Sequence, residues 1–208
     1  QYIRFFQETG SIKKDLEADT RWCLGYVNTP LVQIPCHVKY TLSRGPVDIQ
    51  IRMLYDSITT FGNIQVWKAK AFLPLGYTYQ SYIDYSEYSK MSPIGKQISL
   101  YRSVVLDSNS SINKKNFHSY KAEDFKILYN PDILFEDVKL LKQDTLKITK
   151  QDDTYIEGSI SIDKPKILYL AIPNDEGWKL TLDGKQTPIE TVTMGMMGIE
   201  LSKGNHSV

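Results

Sequence analysis

The sequence predicts a mainly β protein with an α+β N-terminal part and an antiparallel β-sandwich or jelly roll at its C-terminal end. Fourteen tyrosines stand among the 208 residues, and tyrosine suits sheets and half-wet surfaces. In the last third, short apolar segments are separated by turns such as Asp-Gly and Lys-Gly, which is typical of an antiparallel sandwich. We expect an α+β subdomain over residues 1–110 and the sandwich subdomain over 111–208, with the polar loop Asp107–Lys115 at the boundary.

Composition limits the classes of partner. Hydrophobic residues make up 41% of the chain, enough for a sizeable core. The 25 basic and 24 acidic residues leave a net charge of +1, which is no excess with which to neutralise phosphates, so nucleic acid is not an expected partner. No stretch reaches the roughly 20 apolar residues that a membrane-spanning helix needs. Because the sequence stops within a predicted strand at Val208, we expect it to be a piece of a longer protein.

The N-terminal part contains sequence patterns typical of helices and of strands. Ser11–Arg21 begins with a potential N-cap and spaces its apolar residues as a short helix does. His37–Arg44 alternates apolar and polar residues, which predicts a strand with Tyr40 and Leu42 on a buried face. Val47–Thr59 and Asn63–Lys68 continue that alternation, so we predict two further strands that pair antiparallel.

Tyrosines dominate the next segment. They stand at positions 77, 79, 82, 85 and 88, and the last three share a face if Asp84–Lys90 forms a helical turn or two. Gly95–Leu106 fits either a helix or a strand. These two alternatives cannot be separated by pattern alone.

The C-terminal third is the most regular. The apolar run "ILYLAI" that starts at Ile167 predicts a central strand covered on both faces. Asp183-Gly184 predicts a two-residue type I′ hairpin, because both central positions need a positive φ. Trp178 alternates with Leu180 and Leu182, so we expect it to lie with them on the buried face.

The two cysteines do not predict a metal site. Cys23 and Cys36 lack CxxC spacing and a histidine cluster. A disulfide between them across a short loop and two unpaired thiols are both open. We expect neither a metal nor another cofactor.

The sequence also gives little support for catalysis within this chain. It lacks the G-x-S-x-G, G-x-G-x-x-G, G-x-x-x-x-G-K-[ST] and H-E-x-x-H motifs, and its three histidines are scattered. The doublets Asp152-Asp153 and Asp175-Glu176 are the candidates for a carboxylate pair. Charged doublets in turns are usually solvated, so we expect no catalytic residues here.

A carbohydrate site is the stronger functional hypothesis. Such a site needs an aromatic face for the C–H side of a sugar ring, with amides or carboxylates beside it for the hydroxyls. Trp178 with Asp175 and Glu176 supplies these groups, and Tyr82 and Tyr85 are further candidates. The alternative is that the tryptophan belongs to the core or its rim and that the tyrosines pack against a sheet.

These same residues carry a resemblance to a known family. The run from Ile167 to Val208 resembles the end of the extracytoplasmic region of the YfhO family of bacterial membrane proteins. The matching motifs are Ile172-Pro173, Gly177-Trp178-Lys179, Asp183-Gly184-Lys185, Gly198 and Lys203-Gly204-Asn205-His206. "HVKYTLSR" and "VWKAKAFLPLGYTY" also resemble family segments. Asn174 is a departure, since the family commonly has tyrosine there.

The resemblance implies a function. The family is similar to polytopic membrane glycosyltransferases that use lipid-linked sugars to modify cell-surface polymers such as lipoteichoic acid, with catalytic acids in loops absent from this chain. It implies an extracytoplasmic accessory domain, noncatalytic by itself. The implied partners are the membrane-embedded part of the same polypeptide and a cell-surface glycan or lipid-linked sugar. The alternative from another class is a carbohydrate-binding or adhesion module of a secreted protein.

Overall fold

The structure, a computed structural model, describes residues 2–12, 29–126 and 130–208. Most of the predicted helix Ser11–Arg21 lies outside these residues, and so does Cys23, so a disulfide and two unpaired thiols both stay open. Cys36 is buried. The described helices are α1 (Tyr2–Glu8), α2 (Pro30–Gln33), α3 (Ile49–Leu54), α4 (Tyr85–Tyr88), α5 (Pro93–Ser99) and α6 (Pro131–Leu141), with 3-10 turns at Lys114–Asn116 and Ala122–Phe125.

The strands outnumber the helices, and the predicted mainly β class with an α+β N-terminal part is confirmed. In the N-terminal half they are β1 (Tyr40–Arg44), β2 (Tyr55–Phe61), β3 (Ile64–Ala69), β4 (Gly76–Tyr79), β5 (Ser81–Asp84), β6 (Val104–Leu106) and β7 (His118–Tyr120). In the C-terminal half they are β8 (Lys147–Gln151), β9 (Ile156–Ile162), β10 (Lys166–Pro173), β11 (Leu180–Leu182), β12 (Lys185–Thr187), β13 (Glu190–Val192), β14 (Met196–Leu201) and β15 (Gly204–Ser207).

Strand β10 is the centre of the fold. It lies between β14 and β4 in an antiparallel sheet of order β13-β14-β10-β4. Successive side chains of a strand point to opposite faces. Ile167 and Tyr169 accordingly enter a larger core, whereas Leu168 and Leu170 enter a smaller one. The apolar run was therefore correctly predicted as a strand that is covered on both faces.

The smaller core is the inside of the predicted sandwich. The sheet of order β15-β9-β8 contributes Ile160 and Ile162, which pack with Leu168, Ile199 and Leu201 of the central sheet. Every pairing within these two sheets is antiparallel. The hairpin β11–β12 closes one side of this core through Leu180.

The larger core lies on the other face of the central sheet. It joins residues from Phe5 to Met196, and its second sheet has the order β6-β5-β7 with parallel pairing. Parallel neighbours need a crossover, and here α4 and α5 lie between β5 and β6. Gly95–Leu106 thus supplies both structures that its pattern allowed, the end of α5 and then β6.

Strand β4 connects the two halves of the sequence. It pairs with β10, so that Tyr77 lies opposite Tyr169 and Tyr79 opposite Ile167. The Tyr77 hydroxyl donates to the carbonyl of Pro35 at 3.0 Å. The central sheet therefore draws on both predicted subdomains, while the division near residue 110 stays a prediction.

One predicted strand is partly wrong. Within Val47–Thr59, the structure has helix α3 followed by strand β2. The Asp48 side chain accepts a hydrogen bond from the backbone N–H of Gln50 at 2.7 Å, which caps the helix. Ile51 and Leu54, three residues apart, are the buried pair, so the helical period and not the period of two decides burial here.

Two other features differ from the prediction. Helix α6 stands where the sandwich subdomain was expected; Asn130 caps it by accepting from the backbone N–H of Asp132 at 2.9 Å, and Leu134, Val138 and Leu141 are its buried face. Strand β1 was predicted within His37–Arg44, but its expected buried face, Tyr40 and Leu42, is exposed.

Candidate functional site

The candidate site is built on the β11–β12 hairpin. Its two turn residues, Asp183 and Gly184, have φ angles of 52° and 78°. Both values are left-handed, as a type I′ turn requires, so the predicted turn is confirmed. Leu180 lies opposite Thr187 at the open end of the hairpin, next to the loop that follows β10.

A histidine and an aspartate fix this hairpin to the last strand. Asp183 Oδ2 lies 2.8 Å from Nδ1 of His206, while its Oδ1 accepts from the backbone N–H of Ser207 at 2.9 Å. The backbone N–H of Asp183 donates to the carbonyl of Ser207, also at 2.9 Å. The hairpin is thus held by a carboxylate that is satisfied on both oxygens.

The other nitrogen of His206 determines the charge of this pair. Nε2 lies 2.8 Å from the carbonyl oxygen of Ser202. Because both neighbours of the ring are acceptors, both ring nitrogens must carry hydrogen to satisfy them, which is the imidazolium form. Burial lowers the pKa of His206, but its hydrogen bonds to Asp183 and to the Ser202 carbonyl outweigh this effect, so the pKa is raised. The same hydrogen bond lowers the pKa of Asp183.

Trp178 occupies the position between the hairpin and the smaller core. Its backbone N–H donates to the carbonyl of Asp175 at 3.1 Å. The side chain is half-buried and packs against the smaller core. It also lines two separate cavities, so it is neither a fully buried residue, as we expected, nor a freely exposed platform.

The first cavity is an open polar groove of about 320 Å³. Asp175 and Glu176 are exposed along it. Asn174, beside them, donates through Nδ2 to Thr191 Oγ1 at 2.8 Å, which fixes the start of the loop. The groove is lined by Asn174, Asp175, Glu176, Trp178, Lys179, Leu180, Gln186, Thr187, Pro188 and Ile189.

The second cavity lies on the sandwich side of Trp178. It has a volume of about 410 Å³, and most of its lining is aliphatic. Leu170 and Met197, which are neighbours across the β10–β14 pairing, form part of its wall. Apolar concave spaces of this size with a few polar groups at the rim are typical of small-molecule sites. Here Thr154, Tyr155, Lys179 and Thr181 supply those polar groups.

The other two candidates from the sequence lie elsewhere. Tyr82 is 8% exposed and belongs to the larger core, with Lys114 Nζ 5.5 Å from its ring centre. Tyr85 is half-buried beneath the guanidinium of Arg4, whose carbon lies 4.6 Å from the ring centre. Neither residue lines a cavity that Trp178 lines. The structure therefore brings together Trp178, Asp175 and Glu176, but not the two tyrosines.

Sequence reasoning missed the groove residues that come from the hairpin. Gln186 and Thr187 stand on β12 and face the groove together with Trp178. The signal was available, because a two-residue turn at Asp183-Gly184 necessarily places residues 185–187 beside 180–182. Their amide and hydroxyl groups add donors and acceptors opposite the two carboxylates.

These groups suit a neutral polyhydroxylated ligand. An indole face packs against sugar C–H groups, while carboxylates, amides and hydroxyls form hydrogen bonds with the sugar hydroxyls. Within residues 2–12, 29–126 and 130–208, no cluster of three or more His, Cys, Asp or Glu side chains is arranged to hold a metal ion.

Comparison with known proteins bears on the same region. Residues 129–208 match the family described as "Bacterial membrane protein YfhO", a range that covers the smaller core, the hairpin and the groove. No curated protein and no solved structure matches the chain. None of the helices in the described part of the chain is long and apolar enough to cross a membrane. The predicted resemblance to the YfhO family of bacterial membrane proteins is thus confirmed over residues 129–208.

Proposed function

We propose that this chain is an extracytoplasmic accessory domain of a YfhO-like membrane glycosyltransferase. In this role it recognises or positions the cell-surface polymer that is glycosylated, a polymer of the lipoteichoic acid type, and is noncatalytic by itself. Because the groove suits a neutral ligand, it binds the sugar units of that polymer and not its phosphates. The observation that carries the proposal is the groove beside Trp178, where one aromatic face and several hydrogen-bonding side chains meet on an open β surface.

The shape of the groove supports polymer binding. The groove is open to solvent along its lining, whereas a site for a small ligand usually encloses most of the ligand surface. Asp175 and Glu176 are exposed, and Gln186 of the hairpin lines the same groove. Successive sugar hydroxyls can therefore each form a hydrogen bond with a side chain of the groove, while the two carboxylates stay in contact with water.

The position of the acidic residues favours binding over hydrolysis. Glycoside hydrolysis requires a proton donor in a protected, partly apolar environment and a second carboxylate across the scissile bond. Asp175 and Glu176 are neighbours in one exposed loop. We therefore assign them to hydrogen bonding with the ligand, and we assign the transfer reaction to the membrane-embedded part of the polypeptide.

The family match supports the cellular location that we propose. It points to a membrane protein, and the resemblance in the C-terminal motifs is to an extracytoplasmic region. The competing function is that of a carbohydrate-binding or adhesion module of a secreted protein. Both functions use the same groove, but only the first requires a membrane-embedded partner in the same polypeptide.

Two experiments test the proposal. A glycan array probed with the purified chain should give binding to one class of cell-surface polysaccharide; an array without any signal would contradict the recognition role.

Protease added to intact spheroplasts should degrade the domain, while the rest of its parent, the full-length polypeptide, remains with the membrane fraction. Protection until the cells are lysed would contradict the extracytoplasmic location, and a parent found only in the culture medium would favour the secreted module.

A further inference from the structure

The sheet of order β1-β3-β2 turns its apolar face towards the solvent. Residues directly opposite each other on neighbouring strands share a face. Leu42 lies opposite Val66, Arg44 opposite Ile64, and Ile64 in turn opposite Phe61. Thr59 lies opposite Val66 and Asp56 opposite Lys68. We define the outer face of this sheet as Tyr40, Leu42, Arg44, Asp56, Thr59, Phe61, Ile64, Val66 and Lys68.

Exposure shows that this face is uncovered. Leu42 and Phe61 are 66% and 69% exposed, and Tyr40 is 49% exposed. The opposite face carries Thr41 and Ser43, which are less exposed than the apolar residues beside them. Sheets with one solvated face normally place polar residues outward, so the usual arrangement is reversed here.

Further exposed hydrophobic residues stand in the same segment of the chain. Eleven large hydrophobic side chains are exposed in the described part of the chain, and six of them fall between residues 40 and 61. Ile58 stands at the bulge in β2, and Ile49 and Met53 are on the exposed side of α3. Single exposed hydrophobic residues need no explanation, but a contiguous group of them marks an interaction surface.

The segment that carries this surface is basic. Residues 39–70 contain five basic side chains, Lys39, Arg44, Arg52, Lys68 and Lys70, against two acidic ones, Asp48 and Asp56, which gives a net charge of +3 where the whole chain carries +1. Arg44 and Lys68 stand on the outer face itself and are exposed. Its one acidic residue, Asp56, is also exposed, and its carboxylate lies 3.9 Å from Nζ of Lys70. This segment therefore attracts anions, whereas the rest of the chain has a small negative balance.

We propose that the outer face docks onto the surface of an anionic lipid bilayer. Leu42, Phe61 and Tyr40 would enter the boundary between head groups and acyl chains, while Arg44 and Lys68 contact lipid phosphates. Apolar side chains with cations around them bind such a boundary through buried area together with electrostatic attraction. A similarity to a membrane protein family over residues 129–208 places the chain in a context where a bilayer is present.

The charge pattern favours lipid over protein as the occupant. A protein partner would have to supply both an apolar surface and several acidic groups in matching positions. A bilayer that contains anionic lipids supplies both everywhere, and it requires no specific register. This inference does not depend on sugar binding, because the outer face shares no residue with the groove beside Trp178.

Vesicle co-sedimentation tests the proposal. The purified chain is mixed with phosphatidylcholine vesicles that contain or lack phosphatidylglycerol. We expect it to pellet with the anionic vesicles, and we expect Leu42→Ser/Phe61→Ser to weaken the partition constant at least about tenfold because two inserted side chains are lost. The matched control is Ile133→Ser/Leu140→Ser on α6, where both residues are also exposed, at 41% and 59%; it should bind as the wild type does.

A second pair of variants isolates the charge. Arg44→Gln/Lys68→Gln should weaken binding to anionic vesicles about thirtyfold, since each basic residue near such a surface contributes about a factor of five. Lys142→Gln/Lys147→Gln, two exposed lysines away from the sheet, is the control. Thermal melting of all four variants confirms that they are folded.

Three outcomes would overturn the proposal. The first is wild-type chain that stays in the supernatant with anionic vesicles. The second is equal binding by the outer-face variants and their controls. The third is a concentration-dependent dimer that Leu42→Ser/Phe61→Ser abolishes while no vesicles bind, which would assign the outer face to a second copy of the chain.

Discussion

The Asp183 carboxylate lies 2.8 Å from Nδ1 of His206, and this contact joins two of the motifs that carry the family resemblance. Asp183-Gly184-Lys185 forms the hairpin turn, and Lys203-Gly204-Asn205-His206 leads into β15. The contact holds the β11–β12 hairpin against the sandwich, and that hairpin forms one wall of the groove. These motif residues thus support the candidate site without being part of its lining.

The first prediction concerns the pH dependence of this pair. His206 has a raised pKa in the folded chain, so its contribution to stability is fully present below its unfolded pKa of about 6.5 and is lost as the pH rises through the folded value. Asp183 has a lowered pKa, so its contribution is fully present above its unfolded pKa of about 3.9 and is lost as the pH falls through the folded value. The pair should stabilise the fold most between these limits.

Urea unfolding of the wild type and of His206→Gln tests this window. The difference in the free energy of unfolding should be largest near about pH 5.5 and should shrink towards about pH 9, where the imidazole is neutral. His118→Gln is the control, because His118 is exposed; its difference from the wild type should not follow the same course. A difference for His206→Gln that grows with pH would show that His206 is not held in the charged form.

The second prediction concerns Gly198, the small residue in the family resemblance. A Cβ atom there would lie 2.5 Å from Cγ1 of Val192 on the neighbouring strand. Gly198 is buried between β13 and β10, opposite Glu190 and Tyr169, so the backbone has little room to move. Gly198→Ala should therefore destabilise the fold by about 1–3 kcal/mol, the usual cost of overpacking, as measured by chemical denaturation.

Gly177→Ala is the matched control for this substitution. A Cβ at Gly177 would meet no atom within 4 Å, so its effect should stay within about 0.5 kcal/mol. Equal effects of the two substitutions would contradict this prediction. They would mean that Val192 of β13 moves away from the new methyl group at position 198 without a loss of stability.

The third prediction concerns the stability contribution of Trp178. The side chain is half-buried against the smaller core, so Trp178→Ala should cost about 2 kcal/mol, roughly half of what deletion of a fully buried large aromatic costs. Trp178→Phe, which keeps an aromatic ring on the core, should cost less than half of that. An alanine variant that melts like the wild type would show that the indole does not pack on the core at all.

The C-terminal fold was predictable because its signals are local. The alternation in β9, the apolar run of β10 and the Asp-Gly turn each identify one element without reference to the rest of the chain. The two faces of β10 also follow from the sequence alone, since a run without polar interruptions must be covered on both sides. In β9 the period of two matches the burial, since Gly158, Ile160 and Ile162 are buried and the residues between them are exposed.

The N-terminal part was less predictable because burial there depends on distant partners. Ile49, Ile51 and Met53 alternate as in a strand, but only Ile51 is buried, because the Asp48 cap and Leu54 favour a helix. The strand that contains Tyr40 and Leu42 was predicted correctly, but the prediction that these two side chains are buried was wrong. No local signal shows that the core lies on the opposite side of that sheet.

The candidate site was predictable only where its residues are close in sequence. Trp178, Asp175 and Glu176 are close in sequence, so their proximity in space is nearly automatic. Tyr82 was proposed from its spacing to Tyr85, but it belongs to β5 and points into the larger core. Its position is set by the parallel pairing with β6 and β7, which connects residues far apart in the chain.

The central claim, that the groove beside Trp178 binds a glycan, is tested most directly by one glycan array probed with the wild type and three variants. Asp175→Asn/Glu176→Gln changes only exposed groove side chains, so it should fold normally and lose at least about tenfold in affinity, as expected for the loss of charge-assisted hydrogen bonds. Trp178→Phe should retain part of the binding, and Lys142→Gln/Lys147→Gln all of it. An array on which the wild type binds and Asp175→Asn/Glu176→Gln binds equally well would contradict the account.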